Sequence, residues 1–192
     1  MNQYKILALI GEAGTGKDTL MREVLKQDPS LHEIISCTTR PPREGEKNGK
    51  NYYFLDNEEF TKKFLNNEML EATIFNNWCY GTSIDALDPN KVNIGVFNPA
   101  GIEALMTHSN VYIVVYYVRA SAKNRLLRQL NREKNPDVDE IIRRYSADNV
   151  DFSDLQFHYN EIENNNRHDL EHNVRILAAA SKRLQLRLDG NN

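Results

Sequence analysis

The first residues able to do chemistry form a glycine-rich segment, residues 11–17, which reads Gly-Glu-Ala-Gly-Thr-Gly-Lys. It fits the phosphate-loop pattern of a glycine, four residues and Gly-Lys. Glycines let the backbone point successive N–H groups inward, and a following helix adds the partial positive charge of its N-terminus. Lys17 can reach terminal phosphates as a point charge. The segment predicts a site for the phosphates of a nucleoside triphosphate; the alternative is a glycine-rich strand-to-helix turn without a ligand.

The residue after Lys17 departs from the strict motif. That motif has Ser or Thr there, whose hydroxyl binds Mg²⁺, whereas this chain has Asp18 followed by Thr19. A carboxylate is a good ligand for a hard cation, so Asp18 could hold Mg²⁺ directly or through water. It could instead stabilise the start of the helix, where a negative charge is favourable. Both interpretations remain open.

A second group of polar residues lies between positions 36 and 82. Residues 36–46 read Ser-Cys-Thr-Thr-Arg-Pro-Pro-Arg-Glu-Gly-Glu, residues 48–54 read Asn-Gly-Lys-Asn-Tyr-Tyr-Phe, and Glu71 and the run Tyr-Gly-Thr at 80–82 follow. In order and spacing this segment resembles the nucleotide acceptor site of the guanylate kinase family. The resemblance covers most of the first half of the chain and is looser in the second half. It implies a phosphate-loop kinase fold. The Gly-Lys-Asp-Thr run at 16–19 also resembles that of some divergent phage-type deoxynucleoside monophosphate kinases.

The resemblance implies how a nucleoside monophosphate would be bound by its phosphate. Arg40 and Arg43 would bind the phosphate with bidentate hydrogen bonds, which suit a planar guanidinium. Tyr52 and Tyr80 would donate their hydroxyls to the same group. The alternatives are surface ion pairs for the arginines and ordinary half-buried packing for the tyrosines.

The resemblance also implies how the base would be bound. Ser36 and Glu71 would contact the base edge, and a carboxylate suits the paired N–H donors of guanine. Thr82 would stand nearby, where family members often have Ser. The alternatives are a strand-end hydroxyl bonded to backbone for Ser36 and a solvated charge for Glu71. The acceptor-binding residues implied are Ser36, Arg40, Arg43, Tyr52, Glu71, Tyr80, Thr82 and Asn98.

Guanylate kinases typically have Asp-x-Asp-x-x-Gly after the strand that residues 92–97 would form. Here Val96 and Asn98 replace both aspartates. Asn98 before Pro99 is also a conventional helix start. The loss bears on either the Mg²⁺ arrangement or the strictness of guanine selection. We hypothesise that Asp18 compensates for the lost carboxylates.

Arginines in the second half of the chain resemble those of the family's lid. Arg125, Arg128 and Arg132 are spaced as i, i+3 and i+7, so a solvated helix face also explains them, and Arg144 resembles a later lid arginine. Lid arginines would close over the triphosphate and stabilise charge on the transferred phosphoryl group. Asn164 resembles a residue near the donor adenine; a cap or loop role is the alternative.

The resemblance thus implies three sets of site residues. The catalytic residues implied are Lys17, Arg43, Arg128, Arg132 and Arg144. The ATP-binding residues implied are Gly11, Glu12, Ala13, Gly14, Thr15, Gly16, Lys17, Asp18, Thr19 and Asn164, and Asp18 is the implied metal ligand.

Alternating apolar strands and helices must position these residues. They predict an α/β fold with a parallel, helix-flanked sheet whose ligands bind beyond the carboxyl ends of the strands. A further helix is predicted to start at Asp56, with Glu59 completing a capping box. Strands are predicted at residues 4–10, 92–97, 111–118 and 157–162, and helices at 16–27, 99–108, 121–134, 138–149 and from 168. The division expected is one guanylate-kinase-like domain over 1–192, with a core of 1–33, 84–120 and 150–192, an acceptor-binding insertion at 34–83 and a lid at 121–149.

Composition narrows the partners. The 192-residue chain has a net charge of -3, which disfavours broad binding of nucleic acid, while its local basic clusters suit a small anionic ligand. Cys37 and Cys79 have no metal-ligand spacing and indicate a reducing, cytoplasmic context. The apolar run at 6–10 is too short for a signal peptide, and no stretch approaches the length of a membrane span. The chain is expected to be a monomer or homodimer that binds no nucleic acid and no membrane.

These observations predict a nucleoside monophosphate kinase that moves the γ-phosphoryl group of ATP to GMP, dGMP or a related nucleotide, with Mg²⁺. One alternative is a kinase of broad specificity for deoxynucleoside monophosphates or another small phosphorylated substrate. Another is a non-catalytic binding module of the same fold. Such modules tend to lose the phosphate loop and lid, whereas this chain keeps Lys17 and its arginines.

Overall fold

The structure is a computed structural model that describes residues 3–75, 77–132, 134–188 and 190. Both ends of the expected domain, residues 1 and 192, lie outside the described residues. The strands within them are β1 (Tyr4–Ile10), β2 (His32–Glu33), β3 (Cys37–Thr38), β4 (Tyr53–Phe54), β5 (Met69–Phe75), β6 (Trp78–Ser83), β7 (Val92–Val96), β8 (Val111–Arg119) and β9 (Asn160–Glu163). The helices are α1 (Lys17–Gln27), α2 (Asn57–Leu65), α3 (Pro99–Met106), α4 (Ala122–Leu130), α5 (Val138–Asp151) and α6 (Arg167–Leu188).

Five strands form the main sheet in the order β2-β7-β1-β8-β9, and every neighbouring pair is parallel. β1 lies at the centre and its residues 5–10 are all buried. This burial on both faces explains why the strand reads as a nearly continuous apolar run. The predicted parallel, helix-flanked sheet is confirmed.

Side chains of β1 alternate between two apolar cores, as the two-residue period of a strand requires. Leu7 and Leu9 pack on one side with α1 and α6. Ile6 and Ala8 pack on the other side with residues of α3. This second core also contains Leu70 of β5, so it joins the main sheet to the rest of the molecule.

A second sheet has the order β4-β3-β6-β5 and lies within the segment predicted as an insertion. α2 runs between β4 and β5 and begins with the predicted capping box: the Asp56 carboxylate accepts the N–H of Glu59, and the Glu59 carboxylate accepts the N–H of Asp56. This sheet forms one wall of the molecule's main cleft.

Several predicted boundaries differ from the structure; α3, for example, ends at Met106 rather than at residue 108. α4 ends at Leu130 rather than near residue 134, because the polar residues that follow offer no apolar side chain to hold another turn. α5 continues two residues beyond its predicted end. β9 begins at Asn160 rather than near Phe157, which packs with Tyr159 against the second core instead of pairing with β8. In the described part of the chain no helix has the length and apolar character needed to cross a membrane.

Candidate functional site

A cleft of about 500 Å³ opens at the carboxyl edge of the main sheet. Its walls come from the loop after β1, the first turn of α1, the second sheet, the start of α3 and the inner face of α5. Parallel strands end at this edge, so residues from distant parts of the sequence meet there.

The loop between β1 and α1 has the backbone that its glycines allow. Gly14 and Gly16 have φ of 84° and 90°, which side chains rarely adopt. A Cβ at Gly11 would lie 2.4 Å from the carbonyl oxygen of Val118, so that position is also closed to other residues. The Lys17 ammonium donates to the Glu12 carbonyl oxygen at 3.2 Å, across the loop. Burial lowers the pKa of Lys17, an effect that neighbouring carboxylates oppose.

Arg128 contacts this loop through backbone carbonyls only. Its guanidinium donates to the carbonyl oxygens of Gly14 (3.2 Å), Thr15 (3.1 Å) and Asn164 (2.8 Å). The Asn164 amide donates to the Thr15 carbonyl at 2.8 Å. Among the described residues, the cleft is lined by Arg132 and Arg144 but not by Arg128 or Asn164. The structure therefore separates the predicted lid arginines into those that support the loop and those that face the cleft.

Sequence reasoning missed a buried carboxylate next to the loop. Asp148 of α5 is 2% exposed, lines the cleft and accepts the N–H of Ala13 at 2.7 Å. Burial raises its pKa, while the Ala13 N–H lowers it. Arg125 of α4 pairs with Asp148 at 3.4 Å and with Glu12 at 3.0 Å. Asp148 belongs to no sequence motif. Its position seven residues after Ile141, on the same face of the predicted helix, is the only indication in the sequence that it is buried.

Arginines from both sides converge on the cleft. Arg40 and Arg43 come from the second sheet's side, and Arg132 and Arg144 from the α4–α5 side. Arg40 pairs with Glu46 at 2.9 Å, and that carboxylate also accepts the N–H of Arg43 at 2.7 Å. The Nε of Arg43 is buried and has no hydrogen-bond partner within the described residues. Burial and the neighbouring arginines lower the pKa of Arg43 to about 10. Guanidinium groups this close together repel one another, and a bound anion would relieve that repulsion.

Arg144 is oriented by a carboxylate one turn earlier on α5. Its Nε donates to Glu140 at 2.6 Å, which leaves the two terminal nitrogens of the guanidinium available. Arg143 donates to the same carboxylate, and the hydrogen bonds from both arginines hold the pKa of Glu140 at about 2. Glu140 therefore stays ionised and keeps Arg144 directed at the cleft.

Aromatic side chains line the wall of the cleft that the second sheet forms. The rings of Tyr52 and Tyr80 meet edge to face with centroids 6.0 Å apart, and the Arg40 guanidinium lies 5.6 Å from the Tyr52 ring centre. Burial raises the pKa of Tyr52, so its hydroxyl remains a donor at neutral pH. Trp78, the single tryptophan of the chain, lines the same wall.

Glu71 lies at the far end of this wall. It is 6% exposed, and one of its oxygens accepts the hydroxyl of Thr82 at 2.7 Å. Ser36 lies 3.3 Å from the same hydroxyl. Burial raises the pKa of Glu71 to about 7, and the Thr82 hydrogen bond lowers it only in part. The predicted base-binding residues thus lie together as one polar cluster.

Asn98 is a structural neighbour of this cluster. Its side-chain Oδ1 accepts the N–H of Gly101 at 2.7 Å and so caps α3, as the helix-start interpretation predicts. Its amide donates to Thr73 at 2.8 Å. A Cβ at Gly101 would lie 3.3 Å from Glu71, so the start of α3 packs closely against the carboxylate.

Asp18 is exposed on the first turn of α1 and lines the cleft. Gly16, at the N-cap position, has no side chain to cap the helix. Asp18 is the acidic residue of the first turn. Among the described residues, no group of three or more His, Cys, Asp or Glu side chains could hold a metal ion. Asp18 fits a Mg²⁺ ion only as one ligand beside the oxygens of a nucleotide or water.

The chain is similar to known proteins of one family. The family model described as "Guanylate kinase" matches residues 3–181. The chain is 33% identical over 149 residues to a guanylate kinase of Gloeobacter violaceus, covering 74% of this chain and 71% of that relative. It is 43% identical over 91 residues to a guanylate kinase of Nostoc sp., covering 47% of this chain. There the chain spans about half the length of the relative, 45%.

The fold also resembles a solved structure. The crystal structure of guanylate kinase from Anaplasma phagocytophilum matches with a TM-score of 0.68 and 24% sequence identity. The match covers 94% of this chain and 87% of that one.

Proposed function

This chain belongs to the guanylate kinase family, and we propose from that premise that it transfers the γ-phosphoryl group of ATP to GMP or dGMP. One observation carries the proposal: residues of the phosphate loop, the four arginines, and Ser36 and Glu71 all line one cleft. Catalysis of phosphoryl transfer consists mainly of positioning and charge stabilisation, so two nucleotide sites and shared cations in one cleft are what it requires.

The donor side would be formed by the phosphate loop. The N–H groups of the loop, the N-terminus of α1 and Lys17 would bind the β- and γ-phosphates. The remaining predicted donor contacts, at Glu12 and Asn164, support the loop rather than face the cleft's centre. We propose Asp18 as the protein ligand of Mg²⁺, which would neutralise part of the triphosphate charge.

The acceptor side would be formed by the second sheet. Arg40, Arg43 and the hydroxyls of Tyr52 and Tyr80 would bind the monophosphate. Glu71, when ionised, would accept the N–H donors of guanine, and the Ser36 and Thr82 hydroxyls would bind beside them. This placement supports a guanine nucleotide, because a carboxylate at the base edge disfavours bases that offer acceptors there.

Charge that develops on the transferred group would be stabilised by arginines. Arg43 reaches it from the acceptor side, and Arg132 and Arg144 from the α4–α5 side. Glu140 keeps the Arg144 guanidinium oriented before any nucleotide arrives, and Glu46 does the same for the Arg40 guanidinium on the acceptor side. Preorganised charges stabilise a transition state without a cost of reorganisation at the moment of reaction. For Arg128 we propose support of the loop rather than contact with phosphate.

We propose that residues 34–83 act as the acceptor-binding insertion and 121–149 as the lid of a single domain. Cytoplasmic location is supported by free thiols at Cys37 and Cys79. A small anionic substrate rather than nucleic acid is supported by the net charge of -3. A monomer or homodimer is the expected assembly. No observation favours the broad-specificity kinase or the binding module.

The test is an ATP-dependent phosphorylation assay across all ribo- and deoxynucleoside monophosphates. We expect kcat/KM for GMP or dGMP to exceed that of the other bases by about a hundredfold or more, because a site that pairs with base N–H groups rejects bases without them. Lys17→Met is the control for background turnover. Equal turnover of all bases, or ATP binding without turnover of any, would contradict the proposal.

A further inference from the structure

Three charged side chains beside the phosphate loop, two of them buried, form a group to which the proposed mechanism gives no contact with the nucleotides. We propose that Glu12, Arg125 and Asp148 are positioning residues that fix the backbone N–H and carbonyl of Ala13 and hold the phosphate loop ready for the donor nucleotide. This inference rests on the proposed kinase function, whose donor site it concerns.

Both polar groups of Ala13 are held by side chains far away in the sequence. Its N–H donates to Asp148 of α5 at 2.7 Å, and its carbonyl accepts from the Nε of Arg125 of α4 at 3.2 Å. Arg125 in turn pairs with Glu12, the residue before Ala13, at 3.0 Å. The loop is thus attached to two helices through the two peptides that flank one residue.

The next two carbonyls of the loop point to the same side as that of Ala13. Arg128 donates to those of Gly14 and Thr15, so three successive carbonyls point towards α4. In a trans peptide the N–H lies opposite the C=O. The N–H groups of Gly14 and Gly16 therefore point away from α4. Loop N–H groups already directed away from their support need no ordering when phosphates bind, which favours affinity.

The charges make this arrangement sensitive to substitution. Arg125 is 4% exposed and Asp148 2% exposed, and Glu12 has one buried oxygen without a hydrogen-bond partner among the described residues. Two carboxylates face one guanidinium, and the nearby Lys17 ammonium interacts with both carboxylates. Removal of one partner from such a buried pair leaves an uncompensated charge. Arg125 also lies 4.8 Å from the ring centre of Tyr145, which fixes its position.

The experiment compares nucleotide binding in two substitutions of Asp148. Asp148→Ala removes the acceptor for the Ala13 N–H, and we expect the Kd for ATP to rise about tenfold. The Kd for GMP, followed by Trp78 fluorescence, should stay within about twofold, because the partners of Asp148, Ala13 and Arg125, lie on the donor side. Asp148→Asn keeps an oxygen acceptor but loses the charge, and its Kd for ATP should rise only about threefold.

The matched control is Asp151→Ala, an exposed carboxylate on the same helix, which should change neither affinity. Equal loss of ATP and GMP affinity in Asp148→Ala would indicate general loosening and would overturn the proposal, as would unchanged ATP affinity. If Asp148→Ala does not fold, Asp148→Asn decides: wild-type ATP affinity in that variant contradicts the role of the charge. Binding titrations need no turnover, so wild-type protein that binds ATP but phosphorylates nothing would contradict the kinase proposal alone.

Discussion

At the scale of single residues, Glu71 is a cleft carboxylate whose charge should change near neutral pH. Burial raises its pKa from 4.5 to about 7. Because the folded state favours the neutral form of this carboxyl group, the group stabilises the fold fully below pH 4.5. That stabilisation is lost as the pH rises to about 7. At roughly 1.4 kcal/mol per pKa unit, the loss amounts to about 3 kcal/mol. We expect urea unfolding to show this decline between about pH 4.5 and 7 in the wild type and not in Glu71→Gln.

Nucleotide affinity should change with pH in the opposite sense to stability. Guanine N–H donors bind the ionised carboxylate, so the Kd for GMP should rise by up to about tenfold for each pH unit below 7. The phosphate of GMP itself titrates near pH 6 in roughly the same range. Glu71→Gln is therefore the reference, because it retains the phosphate effect alone. Parallel pH profiles for the two proteins would show that Glu71 does not bind the base.

Asp18 is the second residue whose role is testable alone. If it holds Mg²⁺ in place of the carboxylates absent at Val96 and Asn98, Asp18→Ala should raise the Mg²⁺ concentration for half-maximal activity by about tenfold. Its side chain is exposed, so stability should change by less than about 0.5 kcal/mol. The measurement is initial rate against free Mg²⁺ at saturating ATP. Asp18→Ser restores the hydroxyl of the strict motif, and unchanged Mg²⁺ dependence in both variants would contradict the compensation hypothesis.

At the scale of elements, the start of α3 links a helix cap to the acceptor wall. Asn98→Ala removes the cap on Gly101 and the contact with Thr73, and we expect a stability loss of about 1 kcal/mol. Because α3 packs against Glu71, the Kd for GMP should also rise. Asp56→Ala is the matched control, since it removes the cap of α2 at an exposed site. We expect Asp56→Ala to lower the free energy of unfolding by a similar amount without changing the Kd for GMP. Equal effects of both variants on the Kd for GMP would contradict the link between the α3 cap and the acceptor wall.

At the scale of the whole molecule, the second core joins the two sheets into one unit. Leu70 of β5 is buried with Ile102 and Leu105 of α3. Leu70→Ala should lower the free energy of unfolding by about 2–5 kcal/mol. Trp78 fluorescence reports the second sheet and far-ultraviolet circular dichroism the helices, and we expect their urea transitions to shift together.

The control for this cooperativity is on the same strand. Ile74 is exposed on β5, so Ile74→Ala should change stability by less than about 0.5 kcal/mol. A fluorescence transition that moves alone in Leu70→Ala would mean that the second sheet unfolds independently of the main one.

The chain's sequence alone determined the features that depend on local chemistry. The glycines at 11, 14 and 16 predict the phosphate loop because only glycine accommodates such backbone angles. The apolar run of β1 and the β-branched run of β8 predict central parallel strands because burial on both faces permits no polar alternation. The resemblance of residues 36–46 to the family's acceptor motif predicts the acceptor wall, and these residues stay together in the fold because they are close in sequence.

The tertiary structure alone decided which of several similar residues face the cleft. Arg125, Arg128 and Arg132 look alike in sequence, yet the end of α4 at Leu130 directs the first two to the loop and the third to the cleft. Asp148 reaches Ala13 across 135 positions of sequence, and the raised pKa of Glu71 comes from burial between α3 and the second sheet. These properties arise from packing between distant segments, and hydrophobic periodicity does not specify which polar side chains such packing brings together.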